Sequence, residues 1–253
     1  MRNTLNRHPR ERLIFALDTG GNIDEAISWV ERLKKHVGLF KVGKESFAYY
    51  GPHIVQRIKT KGCQVFLDLK FHDIPNTVSA ASLAAVALGV EMFNIHALGG
   101  KKMMADAVMA VREAARQSDL PAPIVLAVTV LTSLNDDDIR DMGFRLSARE
   151  LALHLAKLAQ ESGVSGVVAS AHDVQEIRRA CGRDFVIVTP GIRGNMTAGD
   201  DQKRVWTAKD AIECGADYIV VGRPIRTAED PVYQAEKIVQ EIAEGLAIRE
   251  KVV

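Results

Sequence analysis

Cysteine is scarce: the 253-residue chain has three, Cys63, Cys181 and Cys214, far apart and with no C-x-x-C spacing. That argues against a disulfide framework or a zinc site and fits a reducing compartment. Charge imbalance is missing too. Lys and Arg number 33 against 32 Asp and Glu, for a formal net charge of +1. Such a balance leaves no footprint for a polyanion, so nucleic acid is not an expected partner. No apolar run approaches the roughly 18 residues that a membrane span needs. Met1–Arg12 is polar and arginine-rich, without the apolar stretch of a secretory signal. Residues 1–11 therefore read as a flexible tail ahead of one domain over 12–253, in a cytoplasmic protein with no membrane contact. No linker rich in Pro, Gly or Ser divides that domain. No His, Asp and Glu cluster has metal-ligand spacing, so no metal is expected. The first apolar run is followed by Asp18-Thr-Gly-Gly-Asn22. An open, doubly wound sheet is expected to show G-x-G-x-x-G there.

What is present is regular alternation. Hydrophobic residues make up 47% of the chain, enough for a large core. Short apolar runs occur at Leu13–Leu17, Leu39–Val42, Gln64–Leu69, Met92–His96, Ile124–Leu131, Gly166–Ala169, Phe185–Thr189 and Tyr218–Val221. They are rich in Val, Ile and Phe and nearly continuous in hydrophobicity, as strands buried on both faces are. Helical patterns fill the gaps. Ile23–His36 carries Ile23, Ala26, Ile27, Val30 and Leu33 at the spacing of a buried stripe. Glu45–Lys59 (broken at Gly51-Pro52), Val78–Leu88, Lys102–Arg116, Ala148–Glu161, Val174–Ala180, Ala208–Cys214 and Pro231–Gly245 read alike. Glycines such as Gly62, Gly89 and Gly163 stand where a helix must stop before the next strand. Eight such strand–helix units predict an α/β fold, a single (β/α)8 TIM barrel. The irregular stretches Thr132–Ser147 and Pro190–Lys203 follow strands, which puts them on the C-terminal face where barrels build active sites.

Polar residues collect at the strand ends. Asp18 ends the first run, and Lys41 and Lys44 bracket the end of the second. Asp68 and Lys70 end the third, with Asp73 just beyond, and His96 ends the fourth. Thr132, Ser133, Ser170, Arg193 and Gly222-Arg223-Pro224 follow later runs. In a barrel these positions share one mouth.

The third run ends as Asp68-Leu-Lys-Phe-His-Asp-Ile-Pro-Asn-Thr77. Buried charges require partners, so three here point to chemistry. Alternation sends Asp68 and Lys70 the same way. Asp73, in the loop, need not face the site of its own subunit. An ammonium beside carboxylates is favoured over the free amine. It makes a poor Schiff-base nucleophile but a well-placed proton donor, suited to neutralising a carbanion. The loops Thr189-Pro-Gly-Ile-Arg193 and Val221-Gly-Arg-Pro224 fall where barrels often hold a phosphate. Each offers glycine for close approach and arginine for forked contact, and Gln202 adds a neutral donor.

The stretch Asp68–Thr77 resembles the signature of the orotidine 5′-monophosphate decarboxylase family. Ala16-Leu-Asp18, Lys41-Val-Gly-Lys44, Val128-Thr-Val-Leu-Thr-Ser133, Thr189-Pro-Gly-Ile-Arg193, Asp201-Gln202 and Val221-Gly-Arg-Pro224 resemble that family's pattern as well, in order. The resemblance implies a cofactor-free decarboxylation of orotidine 5′-monophosphate to UMP by a homodimer with shared active sites. It implies that Lys70 is the proton donor and that Asp68 and Lys41 belong to the charged network. Asp73, Ile74 and Thr77 would reach the partner's site. Asp18 would hold ribose hydroxyls, and Thr132 would touch the substrate. Arg193, Gln202, Arg223 and the Gly222 N–H would bind phosphate. A metal-dependent phosphosugar synthase or lyase on the same barrel shares only D-x-K-x-x-D and is the alternative. A non-catalytic nucleotide-binding barrel is the third reading.

Overall fold

The computed structural model describes residues 8–118, 121–192 and 206–250. Its strands are β1 (Leu13–Ala16), β2 (Leu39–Gly43), β3 (Gln64–Phe71), β4 (Met92–His96), β5 (Ile124–Val128), β6 (Gly166–Val168), β7 (Val186–Pro190) and β8 (Tyr218–Val221). They form a closed barrel in chain order, β1 to β8. The pairings β1–β2, β1–β8, β3–β4, β4–β5, β5–β6 and β7–β8 are parallel. Every residue of β1, β4, β5 and β8 is buried, which is why these strands read as continuous apolar runs.

Between the strands lie α1 (Ile23–Leu33), α2 (Lys44–Tyr50), α3 (His53–Lys59), α4 (Pro75–Ala87), α5 (Gly100–Gln117), α6 (Asp136–Asp141), α7 (Ala148–Glu161), α8 (Val174–Cys181) and α9 (Ala208–Glu213), and after β8 come α10 (Arg223–Arg226) and α11 (Pro231–Arg249). In α1, Ala26, Ile27, Val30 and Leu33 are buried, and Asn22 caps the start by accepting from the Asp24 N–H. The expected break at Gly51-Pro52 separates α2 from α3, with Gly51 at φ 58°. Only glycine adopts that backbone without strain.

Two helices were not legible in the sequence. α6 falls inside the expected loop Thr132–Ser147, held by a capping box between Asn135 and Asp138. Its single buried residue, Ile139, gives no periodicity to detect. α10 is one turn directly after β8, starting at Arg223. β3 also runs two residues past the expected Leu69.

The chain groups into two compact units. One comprises the described residues of Met1–Val65 and Val188–Val253, the other Phe66–Ile187. In the first, Pro9–Arg12 makes a 3-10 turn, and buried Arg12 donates from Nη1 to the Asp217 carbonyl at 3.1 Å. The expected flexibility of residues 1–7 lies outside the described residues. In the second, α7 starts on a Ser147–Glu150 capping box and buries Leu151, Leu155 and the alanines between its turns.

Candidate active site

β3 and β4 keep a regular register from Phe66↔Met92 to Leu67↔Phe93, then resume at Phe71↔Ile95. Four steps along β3 therefore match two along β4. The excess lies at Asp68, Leu69 and Lys70, which leave the ladder as a bulge. Lys70 has φ 52°, the only positive φ of a non-glycine among the described residues. A lysine is disfavoured there by about 1–2 kcal/mol. Such strain persists where surrounding contacts over-determine it, and it concentrates at functional sites.

The side chains of the bulge are tightly joined. Lys70 Nζ donates to Asp68 Oδ1 at 2.6 Å. The expectation that Asp68 and Lys70 project together is met, but the bulge means that simple strand alternation is not the reason. Asn94, on β4, donates from Nδ2 to the same Asp68 oxygen at 2.7 Å. Its Oδ1 accepts from the Lys70 backbone N–H at 2.7 Å. Asp68 and Asn94 are buried, while the Lys70 side chain remains partly exposed. A part-exposed ammonium on a buried carboxylate suits proton delivery to a ligand.

Asp73 is not in this cluster. It is exposed, and its Oδ1 accepts from the Ile74 N–H at 2.6 Å. Ile74 caps α4 with 66% of its surface exposed, and Thr77 is exposed in the first turn. Thr132 is exposed in the turn after β5. His72 and His96 stack with ring centroids 5.2 Å apart. The thioether end of Met103 lies against Gly99 and would have to shift to admit a side chain there.

The first unit holds a second ion pair. Lys41 Nζ, from β2, donates to Asp18 Oδ1 at 3.0 Å. Gly43 makes room for it: a Cβ there would stand 3.0 Å from Lys41 Nζ and 3.2 Å from Asp18 Oδ1. Three residues that the sequence reading missed tie down the chain after β1. Ser46 Oγ donates to the Leu17 carbonyl at 2.6 Å and Tyr50 Oη to the Thr19 carbonyl at 3.0 Å. Arg226 Nη1 donates to the Asp18 carbonyl. A serine just inside α2 and a second arginine one turn beyond Arg223 were the available signals. Gly222 precedes α10, where a Cβ would come within 3.2 Å of the Ala16 Cβ. Arg223 is exposed at the first position of α10. Arg193 and Gln202 lie outside the described residues.

Burial pushes the thiols of Cys63, Cys181 and Cys214 up, so none is poised as a thiolate nucleophile. Among the described residues, no group of three or more His, Cys, Asp or Glu is arranged to hold a metal ion. Among them, too, no helix is long and apolar enough to cross a membrane.

Comparison with known proteins converges on one family. The profile of the Orotidine 5'-phosphate decarboxylase / HUMPS family matches residues 11–238. The chain is 60% identical over 245 residues to an orotidine 5'-phosphate decarboxylase of Syntrophus aciditrophicus, covering 96% of this chain and 98% of that protein. It is 52% identical over 240 residues to that of Syntrophotalea carbinolica, covering 94% and 97%. Among solved structures, the orotidine 5'-phosphate decarboxylase of Lactobacillus acidophilus superposes with TM-score 0.80 at 38% identity, covering 91% of this chain and 98% of that one.

Proposed function

Because the chain belongs to the Orotidine 5'-phosphate decarboxylase / HUMPS family, we propose that it is a carbon–carbon lyase converting orotidine 5′-monophosphate to UMP and CO2. The observation that carries this is the ammonium of Lys70 held 2.6 Å from the buried carboxylate of Asp68. The bond from C6 of the pyrimidine to its carboxylate breaks, and the electron pair stays on C6. That pair lies in the ring plane, where the π system cannot absorb it. Lys70 gives its proton to C6, forming UMP, and is reprotonated from water. The barrier falls because the positive charge is already in place where negative charge develops. Asp68 lies beside the scissile carboxylate and holds Lys70 on target, with Lys41 as a further member of the charged network. No cofactor takes part in this scheme.

Asp18 takes the ribose hydroxyls, and Thr132 touches the substrate. Arg193, Gln202, Arg223 and the Gly222 N–H take the phosphate, whose binding energy is used at the distant reacting carbon. The enzyme acts as a cytoplasmic homodimer. Asp73, Ile74 and Thr77 serve the partner's site. Supporting this, Asp73 turns to its own backbone instead of to Lys70, and α4 leaves Ala80, Leu83, Ala84 and Ala87 exposed beside Ile74. An apolar helix face of that kind favours burial against another subunit.

The relatives named above are decarboxylases, which supports this reading and not the metal-dependent phosphosugar synthase or lyase. The test is the absorbance change of orotidine 5′-monophosphate with and without a chelator. Turnover to UMP unaffected by the chelator is expected. Absence of turnover would overturn the proposal, and activity lost with the chelator would return the metal-dependent alternative.

A further inference from the structure

Asn94 is an amide in the middle of the apolar strand Met92-Phe-Asn-Ile-His96, and only 1% of it is exposed. A buried amide must have its donors and acceptor satisfied. The hydrogen bonds of the Asn94 side chain go to one place in β3, the bulge. It is the β4 residue between Phe93 and Ile95, the two positions where the register stops and resumes. Its Oδ1 takes the Lys70 N–H and its Nδ2 holds Asp68 Oδ1, both at 2.7 Å. The reversed amide would set NH2 against N–H and oxygen against carboxylate, so the orientation is fixed by its partners.

We infer that Asn94 is a positioning residue for the decarboxylation, acting through Asp68 and Lys70; this rests on the reaction proposed above. The two hydrogen bonds replace the ladder bonds lost at the bulge. One keeps Lys70 in its left-handed backbone. The other fixes the oxygen on which the Lys70 ammonium rests. Asn94 does this without adding charge, so the ion pair keeps its balance while its geometry is set. Loss of the bracket lets the bulge relax and moves the proton donor. A misplacement of about 1 Å can cost on the order of a hundredfold in rate.

Three variants test this beside the wild type, with orotidine 5′-monophosphate for turnover and UMP for binding. Asn94→Ala is expected to lower kcat by about a hundredfold while leaving the UMP Kd within about threefold. Asn94→Ser, with one hydroxyl for two tasks, is expected to recover part of that loss. Asn94→Asp is isosteric and so guards against a folding failure. Ionised, it repels Asp68; protonated, its hydroxyl can donate to Asp68 as the amide does. Its kcat relative to wild type should therefore rise as pH falls from 8 to about 5.5, whereas the Asn94→Ala ratio should stay flat. Wild-type kcat in Asn94→Ala overturns the inference. So does an equal loss of kcat and UMP affinity with a pH-independent Asn94→Asp ratio, which marks a merely structural residue. Absence of turnover in the wild type overturns the proposed reaction instead.

Discussion

Lys70 Nζ rests 2.6 Å from Asp68 Oδ1 across a bulge, from a backbone that a lysine does not adopt by preference. Deleting the ammonium should remove the reaction and spare the fold. Lys70→Ala is expected to show no measurable decarboxylation, with a cooperative melt at a lowered temperature, because buried Asp68 loses its counterion. Alanine is disfavoured at positive φ as lysine is, so the backbone strain is unchanged. The absorbance assay and a thermal melt check both halves.

The Lys41–Asp18 pair depends on the absence of a side chain at Gly43. Gly43 itself has φ −87°, so alanine suits the backbone and the objection is steric alone. Gly43→Ala is expected to displace the pair by a few tenths of an ångström, with a cost of about 1–3 kcal/mol. A urea melt measures that cost, and kcat/KM for orotidine 5′-monophosphate is expected to fall as the pair moves.

Arg223 is exposed directly after β8, and the proposed function gives it the substrate phosphate. A hydrogen bond to a charged group contributes about 1.5–3 kcal/mol. Arg223→Ala should therefore lower kcat/KM for orotidine 5′-monophosphate by at least about tenfold. For orotidine, which lacks the phosphate, wild type and variant should be equally slow. Equal losses on both substrates would remove the phosphate role.

A shared site makes a mixing prediction. Asp73→Ala and Lys70→Ala dimers should each be nearly inactive, because each lacks one residue from both sites. Exchanged subunits form a hybrid in which one site has both residues and the other neither, so about a quarter of native activity should return. Absence of recovery after demonstrated subunit exchange would leave each site within one chain.

Asp173 precedes α8 with no capping hydrogen bond from its side chain, and burial pushes its carboxyl up to about 6 from 3.8. Arg149 opposes that shift and Glu176 adds to it. Between those values the folded chain binds a proton that the unfolded chain does not. Stability from this group therefore falls as pH rises from about 4 to 6 and stays lowered above. Asp173→Asn should be the more stable protein at pH 7, by up to about 3 kcal/mol, and equal to wild type below pH 4. Urea melts at both pH values measure the difference.

The amino-acid sequence by itself determined the architecture and the charged partners. Runs such as Leu13–Ala16 and Ile124–Val128 are buried throughout, and helices such as α1 and α7 carry their stripes and caps in consecutive residues. Short-range periodicity records all of this. Asp68 and Lys70 are two residues apart and so are visible in any reading of the chain. The third partner was not. Asn94 is 26 residues from Asp68, and Arg226 is 208 from Asp18. Which β4 residue faces the bulge depends on the register between two strands, a quantity absent from either strand alone. The same holds for the left-handed turn at Lys70. No local preference of lysine asks for it; it exists because Asn94 and Asp68 hold it there. Local chemistry thus named the ammonium and the carboxylate, and only tertiary packing decided how they are held.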